Sequence, residues 1–139
     1  MASQLFQTVH FTPPPQWEDA SVISFINPTS TDFQANIVVA QHDLAGLPLA
    51  EYAKAQSLDF SAEVAEYEIL QSQEHSVDGT NAYTLEHVFL ADESGRGHQL
   101  ILFLPSESQV YSISCTHSGE EFEEMRSVFE ETVATFRLR

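Results

Sequence analysis

The sequence predicts an α+β domain, a twisted antiparallel sheet of about six or seven strands with helices packed on one face. Three observations predict it. Apolar residues alternate at period two early in the chain and again after Glu68. The period lengthens to that of a helix after Leu47 and again after Ser118. Short polar connections carrying Gly, Pro, Asn and Asp separate the later alternating runs. A chain of 139 residues, 42% of them hydrophobic, fills one core and not two, so residues 1–139 read as a single domain.

The first third reads as strands. Leu5–Phe11 is expected to be one, followed by a turn at Pro13-Pro14-Pro15 and by Trp17, read as a core anchor. Asp19–Ile26 is apolar and β-branched, and Asn27-Pro28 stops it; Pro28 to Thr31 suits a hairpin loop. Phe33–Gln41 places Phe33, Ala35, Ile37 and Val39 on one face and Asn36 and Val38 on the other. A helix opens at Leu47-Pro48-Leu49, where proline is tolerated because the N–H it lacks has no partner in a first turn. Leu49, Tyr52, Ala53 and Gln56 share one helical face, and Phe60, Val64 and Tyr67 keep the spacing, by continuation or by a restart at Ser61.

Strands at 68–77, 82–91, 98–104 and 109–116 form an antiparallel meander, with turns at Asp78-Gly79, 94–97 and 105–108. Ser118 and Glu121 resemble a capping box, and Phe122, Met125, Phe129, Val133 and Phe136 then make one apolar stripe for helix-to-sheet packing. Helices on one face leave the other face as the place to look for function.

Charge narrows the function. Five Lys and Arg against 21 Asp and Glu leave a net charge of −16, which repels phosphate backbones and anionic lipid headgroups. Neither nucleic acid nor direct membrane binding is expected. No apolar run reaches the roughly 20 residues of a membrane span, and the N-terminus lacks the pattern of a secretory signal. A cytoplasmic location is therefore expected. The single Cys115 excludes an internal disulfide framework.

No chemistry-bearing constellation assembles in the sequence. The six histidines form no metal-ligand spacing; His87 and His98 read as strand-surface residues, neighbours across a hairpin. Cys115 and His117 share a strand face, but acidic surroundings raise a thiol pKa, and a buried structural thiol is the better reading. Glu120-Glu121 and Glu123-Glu124 belong to a solvated helix face. No phosphate loop or nucleophile elbow is present. An enzyme is not expected, nor a cofactor or metal.

The order of elements and several runs carry a resemblance over nearly the whole chain. The runs are SVISFINP at 21–28, FQANIVVAQ at 33–41, LPLAEYAKAQ at 47–56, SVDGTNAYTLEH at 76–87 and FEETVATFRL at 129–138. The chain resembles the small acidic bacterial proteins that include the Eag chaperones of type VI secretion systems, which are similar in fold to PsbP and DcrB proteins. The resemblance implies a homodimer that shields the N-terminal transmembrane helices of a secreted effector and helps load it onto the VgrG spike.

It also implies a groove of Val22, Ser24, Ile26, Val38, Gln56, Gln99 and Ile101. Ser24 departs from the aliphatic residue expected at its position. Ile101 stands where a glutamine is expected, with Gln99 two residues earlier on the same strand face. Each has a plainer reading: Val22 and Ile26 as core, Gln56 as exposed helix surface, Gln99 as strand surface. The alternative function is an envelope-associated PsbP- or DcrB-like structural protein, against which missing export and lipidation signals argue.

Overall fold

A computed structural model describes residues 9–28, 33–91 and 95–138. Six strands and two helices follow in the order β1 (Val22–Ile26), β2 (Asn36–Asp43), α1 (Leu49–Glu63), β3 (Ala65–Val77), β4 (Thr80–Ala91), β5 (Gly95–Ser106), β6 (Gln109–Ser118) and α2 (Phe122–Ala134). The fold is α+β, as the periodicity predicts. The expected strand over residues 5–11 is not among these: 9–11 lie outside any strand, and 5–8, like the loop residues 29–31, lie outside the described residues.

The strands form one open antiparallel sheet ordered β1-β2-β6-β5-β4-β3. In the meander of β3 to β6, tight turns at Asp78-Gly79 and Glu107-Ser108 join β3 to β4 and β5 to β6. Asp78 and Gly79 both take positive φ, 52° and 79°, the hairpin geometry whose twist matches the flanking strands. α1 then carries the chain from β2, beside β6, to the far edge at β3. There β3 is broken by register shifts between Ala65/Glu68 and Ile69/Gln71, which blunt a long edge strand.

The two helices lie on opposite faces, which corrects the expectation that both cover one. Leu49, Tyr52 and Ala53 of α1 pack on Tyr83, Leu85, Ile101, Phe103 and Val110. Phe122, Phe129 and Val133 of α2 pack on Leu100, Cys115, Leu102 and Ile113. Successive residues of one strand point to opposite sides, so Ile101 and Leu102 alone require two helical layers. The physical reason lies in β4, β5 and β6, which carry apolar residues on both faces over much of their length.

Three local expectations are also corrected. Trp17 is 74% exposed and is no core anchor. The Ser118 capping box does not form: the helix starts after Glu121, whose carboxylate lies 3.3 Å from His117 Nε2, and no side chain caps the helix. His87 and His98 are not strand-surface residues: both are buried, as is His117.

Candidate functional site

The register places the six strand residues of the expected groove on one face, the face that carries α1, and Gln56 belongs to α1 itself. Val22, Ser24 and Ile26 of β1 stand opposite Ala40, Val38 and Asn36 of β2. These in turn oppose Ser112, Ser114 and Thr116 of β6, and Ser114 and Thr116 oppose Ile101 and Gln99 of β5. Opposed residues of antiparallel strands share a face, so one row runs Ser24–Val38–Ser114–Ile101 and the next Ile26–Asn36–Thr116–Gln99.

α1 covers only part of this face. Its apolar side chains rest on β4 and β5 and reach β6 at Val110, so that Ile101 is buried beneath them. Over β1 the face is open: Val22 and Ile26 are each 57% exposed. Between the helix and the open half lies a hollow of about 220 Å³, whose lining includes Gln56, Phe60, His87, Gln99, Ser112 and Ser114. Gln56 from α1 and Gln99 from β5 thus line the same hollow, and Ile101 forms part of its wall. The plainer reading of Val22 and Ile26 as core does not hold, whereas Ile101 is core as well as wall.

The open half carries no Asp, Glu, Lys or Arg. Its side chains are Val22, Ser24, Ile26, Asn36, Val38, Ala40, His42, Ser112, Ser114 and Thr116. Acidic residues gather instead at one end, where Glu18, Asp19 and Asp43 border Val22 and Ala40. The floor is built of small hydroxyl residues: Ser24, expected there, and Ser112, Ser114 and Thr116, which sequence reasoning missed. Their signal was the polar half of the alternation in YSISCTHS. Small side chains let another backbone approach closely, and their hydroxyls offer hydrogen bonds without charge.

A hydrogen-bonded chain underlies the hollow. The Tyr67 hydroxyl lies 2.7 Å from His87 Nδ1, and His87 Nε2 lies 2.8 Å from Gln99 Oε1. Gln99 Nε2 donates to Thr116 Oγ1 at 2.9 Å. Phe60 of α1 stacks on the His87 ring, centroids 4.7 Å apart at 16°. Burial holds the His87 imidazole below its ordinary pKa, against the raising effect of the Gln99 bond, so the ring is neutral at neutral pH.

The other face holds a structural ion cluster. Glu86, 4% exposed, lies 2.6 Å from His98 Nε2 and accepts from Arg126 Nη2 at 2.7 Å and from Gln71 at 2.8 Å. His87 and His98 therefore do not pair: they oppose Gln99 and Val88, on opposite faces of the sheet. Cys115 is fully buried in the α2 layer, and burial pushes its thiol up to about 12. Among the described residues, no group of three or more His, Cys, Asp or Glu is placed to hold a metal.

An open six-stranded antiparallel sheet between two helices is the PsbP-like fold, and the comparisons with known proteins agree. The chain matches the DcrB family over residues 9–135 and belongs to that family. It superposes on a Pseudomonas aeruginosa protein of unknown function with a TM-score of 0.79, 17% identity, and coverage of 91% of this chain and 89% of that one. For the cyanobacterial PsbP of Synechocystis sp. PCC 6803 the TM-score is 0.59, with 16% identity and coverage of 88% and 84%. For LpqN of Mycobacterium tuberculosis, involved in cell envelope biogenesis, it is 0.55, with 9% identity and coverage of 86% and 84%. No curated protein sequence matches the chain.

Proposed function

We propose that the chain is an Eag-type chaperone: a cytoplasmic binding protein without turnover that shields the N-terminal transmembrane helices of a secreted effector and aids its loading onto the VgrG spike. One observation carries the reading. On a protein of net charge −16, the half-face of β1, β2 and β6 bears no Asp, Glu, Lys or Arg, and α1 leaves it open. A transmembrane helix of about 20 apolar residues held in water aggregates unless an uncharged surface covers it. Val22, Ile26 and Val38 supply apolar area, the hydroxyl floor permits close approach, and Gln56 and Gln99 set register. The acidic remainder of the surface keeps such a protein soluble and away from anionic membranes.

A homodimer fits the same reading. β1 is an edge strand whose five residues, VISFI, carry no charge, whereas the opposite edge, β3, is bulged and rich in glutamate. Uncharged edges are the ones open to pairing with another chain.

Co-expression with an effector bearing N-terminal apolar helices tests the function. Deleting the chaperone gene should lower the effector's level, and the tagged chaperone should co-purify with the effector. Unchanged levels with no co-purification would remove the reading. The alternative, an envelope-associated structural protein, draws on the likeness to LpqN and predicts recovery of the protein with the envelope fraction and no bound effector.

A further inference from the structure

The chain Tyr67–His87–Gln99–Thr116 does more than fill space beneath the hollow. An amide side chain can present either its oxygen or its nitrogen to a partner, and which it presents depends on what holds its other end. Gln99 Oε1 is turned toward His87 Nε2 at 2.8 Å, so Nε2 carries the proton and donates. Nδ1 then accepts from the Tyr67 hydroxyl at 2.7 Å. One N–H of Gln99 Nε2 goes to Thr116 Oγ1, and the second has no partner among the described residues, although Gln99 lines the hollow. The ring that sets this arrangement is 1% exposed and clamped by Phe60, with centroids 4.7 Å apart.

We propose that His87 is a positioning residue that locks Gln99 with its N–H toward the hollow, so that the site selects a helix presenting a hydrogen-bond acceptor there. The inference rests on the chaperone reading and deepens it. A side-chain hydroxyl oxygen of the bound helix meets the free N–H. An all-aliphatic surface leaves that N–H desolvated and unpaired, and a lysine at the same point opposes it with a second donor.

Two measurements on the full chain test it. Long-range ¹H–¹⁵N correlation of the His87 ring reads the tautomer directly: a proton on Nε2 is expected, with two distinct Gln99 amide protons. A proton on Nδ1 would reverse the amide and overturn the proposal. Tyr67→Phe, which keeps the ring stack, should mix the tautomers and broaden the Gln99 signals; unchanged spectra count against the proposal.

The second measurement is binding of two synthetic leucine–alanine helices of about 20 residues, one with a central threonine and one with alanine in its place. Wild type should prefer the threonine helix by roughly three- to tenfold, the worth of one net hydrogen bond. His87→Phe should bind both equally, and His87→Gln, whose amide N–H reaches the position of Nε2, should restore the preference. A preference that survives in His87→Phe overturns the inference but spares the chaperone reading. Failure of wild type to bind either helix, with the Nε2 tautomer in place, overturns the chaperone reading and the inference with it.

Discussion

The His98 imidazole lies flat on the Phe122 ring, their centroids 3.6 Å apart and their planes within 4° of parallel. This contact joins the sheet to the first turn of α2, and the Arg126 guanidinium also lies over the Phe122 ring, 5.0 Å from its centroid. His98 and Arg126 both converge on Glu86. The helix is thus fixed by an aromatic layer whose rim is an ion cluster.

That cluster gives the fold a definite acid response. Burial alone would raise the Glu86 pKa. The bonds from Arg126, His98 and Gln71, with the charge of Arg126, outweigh burial and hold it at about 2 against an ordinary 4.5. A carboxyl with a depressed folded pKa contributes stability that is fully present above its unfolded value and is lost as pH falls through the folded one. Stability should therefore drop by about 2–3 kcal/mol between pH 5 and pH 2 on account of this group. Urea titrations at intervals of pH measure it. In Glu86→Gln the drop should shrink, from a starting stability already lower by about 2–4 kcal/mol.

Gly97 should resist substitution. A Cβ there would sit 2.5 Å from two ring carbons of Phe89, and that ring also packs edge-on against Phe60 of α1. Gly97→Ala is expected to cost about 1–3 kcal/mol in urea unfolding and to disturb α1 as well as β5.

Cys115 should be silent toward thiol reagents. It is fully buried, and its thiol is pushed up to about 12, so almost no thiolate exists at neutral pH. Iodoacetamide at pH 8 should leave the native chain unmodified and label it only in denaturant. Rapid native labelling would contradict the packing of the α2 layer.

The fold was legible wherever one period ran unbroken. The meander from Glu68 to Thr116 and the Phe122/Phe129 stripe follow from alternation and helical spacing, and both form. The placement of α1 was not legible, because β4 and β5 bury both faces and their continuous apolar runs, such as LILFL at 100–104, do not say which side a helix takes. Trp17 misled for another reason: a large aromatic suggests a core, yet no strand or helix forms around it. Of the site, the shared face of Val22, Ser24, Ile26 and Val38 followed from period two once β1 and β2 pair. The hydroxyl floor and the His87 link depend on cross-strand register, which no local pattern reveals.

The open face makes a mutational prediction that separates binding from folding. Val22 is 57% exposed on an edge strand, so Val22→Asp should change stability by less than about 1 kcal/mol and leave the circular dichroism spectrum intact. Binding of an apolar helix should fall at least tenfold, since a carboxylate is placed where the partner is greasy. Loss of the folded spectrum would instead assign Val22 to the core.

Gln56 should matter less. It lines the hollow from α1 and makes no side-chain hydrogen bond to the described residues. Gln56→Ala should therefore leave unfolding unchanged and weaken helix binding by about threefold, the effect of one polar contact. Isothermal titration calorimetry resolves such a change, and an unaltered dissociation constant would take Gln56 out of the site.

The most direct measurement is a titration of the ¹⁵N-labelled chain with a synthetic leucine–alanine helix, followed residue by residue. The account predicts that shift changes concentrate at Val22, Ser24, Ile26, Val38, Ser114 and the Gln99 side chain, with the α2 layer around Cys115 and Phe129 undisturbed. Changes centred on α2 or on the β3 edge, or none at saturating helix, would contradict it.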